Sequence, residues 1–129
     1  MSLIDTIHHV SLIVADTERA LAFYRDLLGL EVDPTRPELG FAGAWLRVGA
    51  QHIHLLELPN PDPVEARPAH GGRDRHLALT VPDLDATIAV LDAAKRPYTL
   101  SRSGRRALFT RDPDANALEL IEQPRYQPR

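Results

Sequence analysis

The chain is written twice. "HHVSLIVAD" at 8–16 and "RHLALTVPD" at 75–83 share a histidine, an alternating apolar run that ends in valine, and an aspartate just beyond. His76 lies 67 positions after His9, and Asp83 lies 67 after Asp16. Toward the ends of the copies, "IHLLE" at 53–57 aligns with "LELIE" at 118–122, now at an offset of 65. Such self-similarity means one supersecondary unit built two times, with small loop differences between the copies.

The periodicity inside each copy says what that unit is. Positions 7–14 alternate and are rich in β-branched residues, which predicts a strand. Asp16 follows as a helix N-cap, because its carboxylate can accept the free N–H groups of a first turn. Ala20, Leu21, Tyr24, Leu27 and Leu28 recur at helical spacing, and Gly29 supplies a left-handed stop. "LEVDP", "GAWLRVG" and "HIHLLEL" predict three strands, the last following a Gly49–Ala50 turn. In the second copy "HLALTV" is a strand, and Asp83 caps a helix striped by Leu84, Ile88 and Leu91. "PYTLS", "RRALFT" and "ALELIE" are its later strands, with a "DPDAN" turn before the last. Each copy therefore reads β-α-β-β-β.

The expected architecture is a single α+β domain over 1–129, with module one at about 5–58 and module two at 75–122. Residues 59–74, "PNPDPVEARPAHGGRD", are rich in Pro and Gly and have no period. They predict a linker, one able to fold over a site. A lone module would leave a bare sheet face and open strand edges. Two modules therefore pair, within one chain or across a dimer.

Bulk properties exclude several function classes. A length of 129 residues suits one domain, and a net charge of −3 is too mild to predict a nucleic-acid or membrane partner. The absence of cysteine removes disulfides, thiolate ligands and a cysteine nucleophile. No basic-then-apolar leader is visible, and no apolar run nears the ~20 residues of a membrane helix, so a cytoplasmic protein is expected. The sequence holds no P-loop, no G-x-G-x-x-G and no G-x-S-x-G elbow.

The repeat singles out four positions: His9 and His76 on the first strands, His54 and Glu119 on the last. A lone strand histidine is more often a packed or surface residue than a ligand. Four potential ligands at related positions of a repeat are another matter. Neutral imidazoles and a carboxylate all offer lone pairs near neutral pH and suit Zn²⁺, Ni²⁺, Co²⁺, Mn²⁺ or Fe²⁺. On an octahedral ion, four ligands leave two open positions for a substrate that binds through two oxygens.

The remaining polar residues carry plainer expectations. His8 points away from His9 across the strand. His52 shares the face of His54 one pleat away, about 6.5 Å along the strand, and either lines the pocket or takes the place of His54; the repeat phase favours His54. His70 is expected in solvent, with a lid role as the alternative. Glu57 and Glu122 fall on the opposite face from His54 and Glu119 and are expected in solvent. "SGRR" at 103–106 reads as a solvated turn, with Arg102, Arg105, Arg106 and Arg111 as alternative holders of an anionic substrate.

From "HHVSLIVADTERALAFYRDLLGLEV" to "FTRDPDANALELIE" the chain resembles the vicinal oxygen chelate superfamily. That group includes glyoxalase I, methylmalonyl-CoA epimerase, extradiol dioxygenases, and fosfomycin- and bleomycin-resistance proteins. The resemblance implies paired βαβββ modules in a cupped, mostly antiparallel sheet around a divalent metal. It places the ligands at His9, His54, His76 and Glu119. Glutathione-using bacterial glyoxalases carry Arg and Asn four residues after the first and second ligands; here Ile13 and Leu58 stand there. The implied activity is a glyoxalase-like lyase or isomerase on a small oxygen-chelating substrate. The metal would act as Lewis acid and Glu119 as general base, with Trp45, Arg47 and Phe109 shaping the pocket. The alternatives are a non-haem Fe(II) dioxygenase using His9, His76 and Glu119, or a non-catalytic small-molecule binding or resistance protein. The resemblance also implies a homodimer.

Overall fold

The structure, a computed structural model, describes residues 1–125. It divides into two compact units, Met1–Asp62 and a second beginning at Pro63, each taken by itself below. The division falls inside the segment expected to link the modules.

In the first unit, β1 (His9–Val14) leads to α1 (Thr17–Leu21), which continues through wide π-helical turns over Ala22–Leu27. Strands β2 (Glu31–Val32), β3 (Gly43–Val48) and β4 (Gln51–Glu57) follow. The sheet order is β1-β4-β3-β2; β1 and β4 run parallel and the other two junctions are antiparallel. Alternation sends Ala44, Leu46, Ile53, Leu55 and Val14 to the helix side, where all are buried with Ala20, Leu21, Phe23 and Tyr24. Fully burying such a side chain stabilises by about 1.5–3 kcal/mol. The regular helical stripe would place Tyr24 inward and Phe23 to one side. The π turns bring both rings in, edge to face at 5.0 Å, and leave Leu27 and Leu28 half-buried.

The second unit repeats the plan: β5 (His76–Val81), α2 (Leu84–Ala93), β6 (Tyr98–Leu100), β7 (Ala107–Arg111) and β8 (Ala117–Glu122). Its sheet order is β5-β8-β7-β6, with β5 and β8 parallel. Leu84 and Leu91 of α2 and Leu108, Leu118 and Leu120 of the sheet form the buried side. The α+β class and the two tandem modules are as expected from the repeat.

Both helices are fastened in the same two ways. Asp16 accepts from Arg19 N–H and Asp83 from Ala86 N–H, the predicted N-caps. Glu57, at the end of β4, accepts the Thr17 N–H at 2.8 Å, and Glu122, at the end of β8, accepts the Leu84 N–H at 2.9 Å. These two glutamates are half-buried rather than free in solvent. Each satisfies an orphan amide at a helix start with a full negative charge.

The segment after Pro63 folds back on its own unit. Asp74 pairs with Arg67 at 3.3 Å and with Arg111 at 2.8 Å, and Arg111 also donates to Pro68 O at 2.7 Å. A short 3₁₀ turn, Gly71–Arg73, lies over β7 and β8. A Cβ on Gly72 would stand 2.8 Å from His70 Nε2 and 3.1 Å from Phe109 Cζ, so a larger residue there would push these two rings aside. Between this segment and β6–β7 is a cavity of about 130 Å³ lined by Gly71, Pro97, Tyr98, Thr99, Phe109 and Arg111 among others.

Candidate functional site

In the first unit, the sheet face away from the helix carries His9, Ser11, Gly43, Trp45, Arg47, His52 and His54. The register sets His52 beside His9 and Arg47, and His54 beside Ser11 and Trp45. The rings of Trp45 and His54 stack at 4.4 Å, within 9° of parallel. His9 stacks on His54 at 4.0 Å. Burial, and then the charges of His9, His52, His8 and Arg36, push the His54 imidazole down to about 4. It is therefore neutral near pH 7, which is the ligating form.

Neighbouring groups orient these rings. Asp33, almost wholly buried, has Oδ2 3.4 Å from His52 Nε2, and His52 Nδ1 is 3.4 Å from His54 Nε2. An ionised carboxylate only accepts, so the His52 proton sits on Nε2 and its Nδ1 accepts from His54 Nε2. The free lone pair of His54 is then on Nδ1. His8 curls back instead of pointing away: its Nδ1 is 2.8 Å from His9 Nδ1. It lies just before β1 begins, outside the strand's alternation.

In the second unit the equivalent face carries His76, Phe109 and Glu119. Glu119 is 3% exposed. Its Oε1 is 3.3 Å from His76 Nε2, and its Oε2 accepts from Arg105 Nη2 at 3.0 Å. His76 Nδ1 lies 2.9 Å from the Asp74 carbonyl oxygen, which can only accept. Nδ1 therefore carries the proton of the neutral ring, and Nε2 points a lone pair at a carboxylate oxygen. Two acceptors facing each other at that distance need a cation between them, a second proton or a metal. Phe109 meets the His76 ring edge to face at 5.1 Å, and His70 at 4.9 Å.

Each unit thus brings two of the four predicted residues together, His9 with His54 and His76 with Glu119. Within neither unit do three or more His, Asp or Glu gather into a group able to hold an ion, among the described residues. His52 orients His54. His70 is not in open solvent: its Nδ1 is 2.7 Å from Thr99 Oγ1. Three of the four arginines considered as anion holders are already engaged, Arg106 by Glu122 and Asp85, Arg105 by Glu119 and Arg111 by Asp74. Arg106 first, then the Leu84 N–H, holds the Glu122 carboxyl below the usual range. Arg47 pairs with Glu31 at 2.6 Å.

One residue escaped the sequence reading. Arg36, in the loop between β2 and β3, places its guanidinium carbon 5.4 Å from the Phe41 ring centroid and donates from Nη2 to Phe41 O at 2.8 Å. A Cβ built on Gly43 would come 3.2 Å from Nη2 and would run into the Leu55 carbonyl oxygen. No period or repeat marks a loop arginine; "PTRPELGF" carries only turn signals.

Comparison with known proteins agrees with this fold. A family model described as the glyoxalase/bleomycin resistance protein/dioxygenase superfamily matches residues 6–120. The uncharacterized protein YwkD of Bacillus subtilis is 36% identical over 128 residues, covering 94% of this chain and 99% of its own. A lactoylglutathione lyase of Haemophilus influenzae is 31% identical over 125 residues, covering 88% and 90%. Among solved structures, a glyoxalase family protein from Bacillus anthracis superposes with a TM-score of 0.79 at 26% identity, over 95% of this chain and 98% of its own. With its doubled βαβββ plan, the chain belongs to the glyoxalase/bleomycin resistance protein/dioxygenase superfamily.

Proposed function

We propose that this chain is a divalent-metal-dependent lyase or isomerase of the glyoxalase kind, with His9, His54, His76 and Glu119 as the ligands of one ion. The observation that carries this reading is the pair His76 Nε2 and Glu119 Oε1 at 3.3 Å, a separation that either a proton or a metal ion can bridge. Ligand bonds of about 2.0–2.2 Å, at tetrahedral or octahedral angles, put neighbouring donor atoms about 2.8–3.6 Å apart, a range that includes this separation. The donor set fits a borderline dication: neutral imidazoles, their second nitrogens engaged by a carbonyl or a ring, and one buried carboxylate. Such an ion, when bound, polarises two substrate oxygens and stabilises an enolate.

The chain's own residues supply the rest. Glu119 moves the substrate proton, and Arg105, 3.0 Å from its Oε2, orients the carboxylate. Trp45 and Phe109 wall the two faces with rings. The protein works on a small molecule; among the described residues no helix is long and apolar enough to cross a membrane. It acts as a homodimer, a reading supported by the edge strands β1 and β5, each paired on one side only within its sheet.

Metal content of untagged protein tests the centre. One equivalent of a transition metal is expected, and about tenfold less or weaker binding in His76→Ala or Glu119→Gln. Metal-free wild-type protein that takes up none on addition of Ni²⁺, Zn²⁺, Co²⁺ or Mn²⁺ would overturn it. A monomer mass at micromolar concentration by analytical ultracentrifugation would defeat the dimer.

A further inference from the structure

Arg36 is a cation with no counter-charge. Its Nε is shut away from solvent without a hydrogen-bond partner, and its one hydrogen bond among the described residues goes to a backbone carbonyl. No carboxylate pairs with it among those residues. A half-buried charge left in this condition is costly, and natural proteins retain such groups where something else completes them. The guanidinium is also fixed in place. The Phe41 ring and carbonyl hold it, and the prolines at 34 and 37 stiffen the loop around it.

Its position relative to the site follows from the strand. Gly43 and Trp45 share a face of β3, and Trp45 stacks on His54. A Cβ built on Gly43 would come 3.2 Å from Arg36 Nη2, so the guanidinium stands beside β3 at its junction with β4, two residues from Trp45.

We propose that Arg36 is an anion-binding subsite, and that the substrate carries a carboxylate or phosphoryl group in addition to the oxygens that meet the metal. A planar guanidinium fork matches either group through paired N–H donors, and a guanidinium already pinned by its surroundings loses little freedom on binding. The assignment rests on the reading that the His54 face receives substrate. Anion binding itself needs no metal, so the two ideas can fail separately.

The test uses full-length, metal-free protein and three probes: propionate, inorganic phosphate, and the neutral isostere propionamide. Binding is followed by ¹⁵N-resolved NMR of the Arg36 Nε–H and of the Phe41 and Gly43 amides. Saturable shifts with an affinity on the order of 1 mM are expected from at least one anion and none from propionamide; which anion saturates separates the carboxylate from the phosphoryl source. Arg36→Gln should weaken binding at least tenfold, about 1.4 kcal/mol, with Arg36→Lys between it and the wild type. Shifts that persist in Arg36→Gln, or that propionamide also produces, would overturn the proposal. So would the absence of saturation where a millimolar site would be filled. Calorimetric titration of the same sample with Ni²⁺ reports on the metal centre, whatever the anions do.

Discussion

His54 and Glu119 face opposite electrostatic situations. His54 is held neutral by burial first and then by the charges around it; Glu119, buried, has the Arg105 guanidinium on its Oε2. The folded pKa of His54, about 4, lies below its unfolded value of 6.5, so its stabilising contribution is present above 6.5 and lost as pH falls through 4. In metal-free protein, the NMR resonances of this ring should titrate with a midpoint close to 4, and a midpoint near 6.5 would contradict the burial described. For Arg105→Ala, the buried carboxylate loses its guanidinium partner, and metal-free stability should drop by about 1–3 kcal/mol. Added Ni²⁺ should then raise the melting temperature more in the variant than in the wild type, because the ion replaces the missing positive charge. Equal rises would mean that metal and Arg105 do not share Glu119.

The two helices show how far repetition extends among the elements. The first ends at Gly29 with φ 82°, the second at Lys95 with φ 56°. Around Lys95, Arg96 N–H reaches Leu91 O at 2.9 Å and Lys95 N–H reaches Asp92 O at 3.0 Å, the double bond of a left-handed helix stop. A lysine held in that conformation is strained by its Cβ. Lys95→Gly, which copies the first module, should raise stability by about 0.5–1 kcal/mol in urea unfolding. The caps at Asp16 and Asp83 were legible because a cap is local: the acceptor sits three residues from its donor. Glu57 and Glu122 do the same for amides 40 and 38 residues away. No pattern within a window of sequence reports such a partner, so both were expected in solvent.

At the scale of the molecule, strand period and repeat phase together located the sheet faces, and through them the pairs His9–His54 and His76–Glu119. The orientation of rings was not legible in the same way. His8 departs from alternation because the strand has not yet begun. Arg36 lies in a loop, where side-chain direction depends on the ring and carbonyl that hold it. Ile13 and Leu58 remain at the places where glutathione-using relatives are expected to carry polar side chains. Leaving two charged groups of that tripeptide unpaired would cost roughly 1–3 kcal/mol each, a hundredfold or more in binding. Metal-loaded protein should therefore turn over the methylglyoxal–glutathione hemithioacetal poorly. A steady-state kcat/KM on the order of 10⁵ M⁻¹s⁻¹ or above would show that other residues provide those contacts.

The stack of Trp45 on His54 gives the protein a light of its own. There is one tryptophan in the chain, so emission excited beyond the tyrosine band comes from a single indole, 4.4 Å from that histidine. An open-shell ion such as Ni²⁺, Co²⁺ or Cu²⁺ held by His54 quenches an indole at that range, whereas Zn²⁺, with its filled shell, leaves it bright. Zn²⁺ bound at the same place would then reveal itself by restoring emission as it displaces Co²⁺. Metal held by His54 would thus be followed by emission intensity alone, in unlabelled protein, from the one ring that the fold lays against this candidate ligand.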